Sequence, residues 1–192
     1  MARQGLPVID LFLRLVAKLL ARPAVAAWLI ARSQRTPYLH IMPADGAEMY
    51  MGRWWLFNPY SRETHKPARW WWPWSFRIHH IMRHDEDRDL HDHPWNARTI
   101  ILRGWYVEQR LLDSEDPVLS GLNVPSGAQA TEYIDRRAGD TARLNHGEYH
   151  RIDQISPGGV YTLFITSKWR GDWGFLVNGV KVPWRKYTGI DS

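Results

Sequence analysis

Between Tyr38 and Val177 the chain reads as a run of short extended segments with no helices between them. Tyr38–Met42, Glu48–Phe57, Phe76–Arg83, Arg98–Gln109, Glu132–Ile134, Glu148–Ile155, Val160–Thr166 and Gly174–Val177 are rich in aromatic and β-branched residues. Gly, Pro, Asp and Ser bound them. Many short strands without crossover helices predict an all-β sandwich or closed barrel. A length of 192 residues fits one domain with a substantial core. Residues 113–130, with Pro117, Gly121, Pro125 and Gly127, are predicted to form a loop.

The histidines of this region carry the chemistry. His91-Asp92-His93 on extended backbone points both imidazoles to one face, because side chains alternate with a period of two. A third, His150, ends the pattern Gly139, Asn145, Gly147, His150. Three imidazoles from separate strands suit one divalent metal, and zinc, copper, iron and nickel all accept such ligands. If His91 and His93 face inward, Trp95, Ala97, Thr99 and Ile101 share that face, with Asp92, Arg98 and Ile100 facing out. On Phe76–Arg83 the apolar set Phe76, Ile78 and Met82 takes His80 with it. His80 is therefore expected inward, as a catalytic acid or base or a fourth ligand, or as a core histidine bonded to a backbone carbonyl. In the acidic run 84–89, His84-x-Glu86 and Asp89-x-His91 offer competing ligand pairs. Asp92 and Glu148, next to ligands, are candidates to orient them.

These stretches resemble the paired motifs of the cupin superfamily. Its first motif reads G-x5-H-x-H-x3,4-E-x6-G, and His91, His93 and Gly104 fit it. Its second reads G-x5-P-x-G-x2-H-x3-N, fitted by Gly139, Gly147 and His150, with Asn145 and Gln154 as departures. Asp85 replaces the leading glycine of the first motif, and Ala97 stands where the family carries a glutamate ligand. The resemblance implies a double-stranded β-helix, or jelly-roll, barrel over residues 37–192. It implies a three-histidine centre as in the thiol dioxygenase branch. Iron(II) is the favoured metal, with zinc, nickel or manganese as alternatives. The whole chain, with its RGWY and SPGGVYTLFIT stretches, also resembles uncharacterised cupin-like proteins of phages and prophages. Three functions follow as expectations. The first is an iron-dependent oxygenase of a small molecule, with Trp95 and Thr99 shaping the substrate pocket. The second is a metal-dependent isomerase or lyase. The third is a phage-encoded interaction protein on a cupin scaffold. A homodimer is a further expectation of the resemblance.

Composition excludes several alternatives. The chain has no Cys, so disulfides, thiolate ligands and a Cys nucleophile are absent. Its formal charge of +5 arises in residues 1–40, where Arg3, Arg14, Lys18, Arg22, Arg32 and Arg35 face only Asp10. The remaining 19 basic and 19 acidic residues balance, which gives the barrel no nucleic-acid signal. Residues 1–36 form an N-terminal arm, with one helix or two predicted over residues 7–33 and Pro23 as the break. Arg14, Lys18 and Arg22 recur every four residues on an apolar cylinder. Its apolar face packs on the barrel or a second subunit, or else residues 8–35 lie on a membrane surface. Asp10, Arg14 and Lys18 interrupt any signal-peptide core, and a cytoplasmic protein is expected. Twelve Trp are unusual. Most suit a barrel interior, but Trp70, Trp71, Trp72 and Trp74 are too closely spaced to share one core.

Overall fold

The computed structural model describes residues 7–42, 49–112 and 130–190. The loop expected over 113–130 lies, except for Ala130, outside the described residues. The elements are α1 (Pro7–Leu20), α2 (Pro23–Ser33), β1 (Met51–Phe57), β2 (Ser75–Ile81), β3 (Ala97–Arg103), β4 (Trp105–Leu111), β5 (Thr131–Arg137), β6 (Thr141–Leu144), β7 (His150–Ile155), β8 (Val160–Thr166), β9 (Gly174–Val177), β10 (Val180–Pro183) and α3 (Trp184–Tyr187). A proline opens each of the first two helices, where a missing amide N–H costs nothing.

The strands form an antiparallel jelly roll. One sheet runs β1-β2-β8-β3-β6. The other begins β5-β4-β7 and continues through the extended residues 90–92 to β9 and β10. Its seam is made by His91, whose N–H and C=O bond His150 at 2.9 and 3.0 Å, and by Leu176 N–H donating to Leu90 O at 2.8 Å. The two antiparallel sheets face each other, and the chain crosses between them at β3–β4, β5–β6, β6–β7, β7–β8 and β8–β9, which is the all-β jelly-roll (double-stranded helix) arrangement.

The segment expected as one strand, Arg98–Gln109, is two. Gly104 adopts φ +83° between β3 and β4 and carries the chain from one sheet to the other. A Cβ there meets Ser156 Oγ at 2.6 Å and Gly159 O at 2.7 Å. Gly104→Ala is therefore expected to destabilise the fold by about 2 kcal/mol or more, read as a lower denaturation midpoint. An unchanged midpoint contradicts this account of the corner.

Both faces of the five-stranded sheet are covered. Ile78, Ile100, Leu102, Tyr161 and Leu163 pack outward against Ala17 of α1 and Ala26, Leu29 and Ile30 of α2. The opposite face, with Ile81, Ile101 and Val160, meets Tyr106 and Ile152 of the second sheet inside the barrel. Arg98 ties β3 to α1 through Asp10 at 3.3 Å. Because the helices supply an apolar outer layer, apolar residues line both sides of β2 and β3, and polar residues are free to face the barrel interior.

Candidate metal centre

His91, His93 and His150 converge, each with a ring nitrogen within 4.8 Å of the others. Their ring centroids are 5.0–5.2 Å apart. His93 Nε2 and His150 Nε2 face each other at 3.0 Å. Cis nitrogens bound at about 2.1 Å to a shared cation stand about 3 Å apart, so this edge fits a metal. His91 Nδ1 is buried and has no hydrogen-bond partner. Among the described residues no carboxylate joins the group. Ala97, 6% exposed, pairs with Leu144 and Thr166 and brings no ligand.

His91 and His93 are held in the ligand form. Burial first, then the neighbouring His150 charge, lowers His91 to about 4 despite Asp85. Burial, then His91, His150, Arg77 and His79, pushes His93 well below its ordinary value. Both rings are neutral near pH 7, with lone pairs available.

Glu108 on β4 sets the tautomer of His150. Its Oε1 accepts from His150 Nδ1 at 2.8 Å, so the proton sits on Nδ1 and the Nε2 lone pair faces the other histidines. Glu108 is 1% exposed and also takes Arg110 at 3.0 Å and Arg136 at 2.9 Å. Burial alone raises this carboxyl. The His150 hydrogen bond and charge, with Arg110, outweigh it and hold the group well below the usual carboxylate range. Sequence reasoning passed over Glu108. The available signal was its register: Tyr106, Glu108 and Arg110 share one face of β4, and Arg110 lies opposite His150.

The residues expected to orient ligands do other work. Asp92 Oδ1 accepts from Gly174 N–H at 2.7 Å, and Oδ2 meets Lys181 Nζ at 2.5 Å, locking residues 90–92 to β9 and β10. Glu148 accepts from Asn145 N–H at 2.8 Å and closes the turn before His150. The competing ligand pairs do not assemble. Glu86 is paired with Arg83 at 2.9 Å, His84 bonds the Asp85 carbonyl oxygen, and Asp89 takes Arg88 and Tyr187. His146 is exposed.

His80 requires a correction. It sits on the helix-covered side of β2, stacked on Tyr161 at 4.0 Å with Nε2 3.0 Å from Gly158 O. The apolar residues of β2 mark the face under α2, so His80 follows them away from the barrel interior and is placed as neither catalyst nor ligand. Arg77 and His79 face inward instead. His79 stacks on Phe164 at 4.9 Å, and its buried Nε2 is unpartnered. The Arg77 guanidinium is 1% exposed, lies within 6 Å of five aromatic rings and donates to Tyr60 Oη at 3.0 Å.

Trp95 stacks on His93 with centroids 5.0 Å apart. Its other surroundings include a cavity of about 260 Å³ walled by Tyr60, His65, Trp70, Trp72 and Trp169, with Lys168 at its edge. Part of the Trp run thus lines this chamber, although Trp70 and Trp71 stay largely exposed. Thr99 lies inside the barrel beside Tyr106, to which its side chain is hydrogen-bonded.

No protein-family model matches the sequence, and no curated protein does. Solved structures with a similar arrangement include oxalate decarboxylases. The Lactobacillus farciminis protein, solved as a formate complex, has TM-score 0.44 and 13% identity over 74% of this chain and 34% of its own. A mutant of the Bacillus subtilis protein has TM-score 0.44 and 11% identity over 74% and 30%. An oxalate oxidase bound to glycolate has TM-score 0.39 and 15% identity over 54% and 46%. The chain spans less than half the length of each.

Proposed function

We propose that the chain is an iron(II)-dependent oxygenase acting on a small molecule at His91, His93 and His150. The observation that carries this reading is the convergence of three imidazoles, His91, His93 and His150, with Ala97 in the place of a carboxylate ligand. Such a site leaves a cation its full charge and open positions. His91, His93 and His150 would hold ferrous iron, which would supply the activation of dioxygen.

The remaining roles fall to the chain's own residues. Glu108 keeps the proton on His150 Nδ1, and Arg110 and Arg136 keep Glu108 ionised. Trp95, Phe164 and Phe175 pack around the histidines and restrict water. The Trp-walled cavity beside Trp95 offers stacking faces, and among the described residues no carboxylate lines it. It therefore suits a neutral or anionic substrate with a flat apolar part. We place the protein in the cytoplasm as part of this reading; a phage origin is only what the sequence resemblance implies, and it belongs with the alternative of an interaction protein on the same scaffold.

The test is oxygen uptake by protein reconstituted anaerobically with iron(II), screened against small aromatic and carboxylate compounds. Uptake that depends on one compound class and disappears in His93→Ala is the expected result. Turnover that proceeds without oxygen, with several metals, contradicts the oxygenase and assigns the site to isomerase or lyase chemistry.

A further inference from the structure

Helix α1 turns its most apolar side away from the protein. Val8, Leu11, Phe12, Leu15 and Leu19, spaced as one helical stripe, are 50–76% exposed. The opposite side, with fully buried Ala17, rests on the sheet. α2 lies on the same sheet face and turns Ala24, Ala27, Trp28 and Ala31 outward, with Trp28 63% exposed. The two outward faces form one apolar surface over the five-stranded sheet. Arg14, Lys18 and Arg22 border it, and among the described residues none of the three is in an ion pair. The single acidic residue of the arm, Asp10, is committed to Arg98.

We infer that this surface docks on an anionic lipid bilayer, with the α1 stripe and Trp28 entering the headgroup boundary and Arg14, Lys18 and Arg22 meeting lipid phosphates. The charge pattern selects this occupant over a second copy of the chain. A two-fold interface sets the patch against itself, and this patch holds cations with no acidic group to receive them. An anionic surface complements it, and apolar stripe, basic border and interfacial Trp together are the composition of a helix lying in the interface. Among the described residues no helix is long and apolar enough to cross a membrane, so the contact is to one leaflet.

The test is flotation of the full chain with vesicles of phosphatidylcholine mixed with phosphatidylglycerol, beside vesicles of phosphatidylcholine alone. The protein is expected to float with the anionic vesicles, to remain behind with the neutral ones, and to be released by salt. Leu15→Glu abolishes flotation. Arg14→Glu with Lys18→Glu lowers partitioning at least about 25-fold, at about fivefold for each cation. Both variants alter exposed side chains, so melting temperature and metal content stay at parent values. Failure to float with anionic vesicles, or equal flotation of Leu15→Glu, overturns the inference. A concentration-dependent dimer that Leu15→Glu dissolves, without flotation, overturns it in favour of a second copy.

Discussion

Glu108→Gln is expected to lower affinity for a divalent cation about 10- to 100-fold. The substitution keeps size and removes charge. His150 then loses the acceptor that fixes its proton on Nδ1, and the ring can present N–H instead of a lone pair to the cation. The same change leaves Arg110 and Arg136 without the buried carboxylate that both contact. Breaking a buried ion pair from one side costs about 3 kcal/mol or more, so the apoprotein also unfolds at lower denaturant. Glu148→Gln is the control, since Glu148 reaches Arg110 only at 3.6 Å and does not contact a histidine. Metal titration of the two variants checks the difference. Equal affinities in Glu108→Gln and the parent contradict the assigned role.

The apoprotein is expected to lose stability as pH falls from about 6.5 toward 4, in a window set by histidines rather than carboxylates. His91 has its folded value lowered from 6.5 to about 4, so between these values the unfolded chain binds the extra proton. The stabilisation is whole above pH 6.5 and is lost as pH falls to 4. For His91 alone this amounts to up to about 3 kcal/mol. His93 and His79, both lowered mainly by burial, act in the same direction. Urea denaturation of metal-free protein across this range measures it, and His91→Ala flattens the slope. A divalent cation at pH 7 raises the midpoint, because it binds the folded state alone. A pH-independent midpoint between 6.5 and 4 contradicts the buried, neutral histidines.

The fold was legible where periodicity and turn residues agreed. The break at Pro23 and strands such as Val160–Thr166 appear where the sequence pattern places them. Two short strands, β6 and β10, were missed because four-residue segments such as Thr141–Leu144 carry too little alternation to read. His91, His93 and His150 could be grouped from spacing and glycines. The side on which β2 presents its histidines could not. Alternation groups His80 with Phe76, Ile78 and Met82, but it does not say which apolar face lies under helices and which lines the barrel. Glu108 was hidden for a related reason: a lone acidic residue in a strand reads as solvent-facing until pairing sets it opposite Ile152, one step from His150.

The three-histidine centre is tested by elemental analysis of protein purified without a chelating tag and reconstituted anaerobically with iron(II), beside the His91→Ala/His150→Ala variant. About one equivalent of bound metal is expected in the parent, and none in a variant that still unfolds cooperatively. Absence of metal from the parent, or the same metal content in both proteins, contradicts the three-histidine centre.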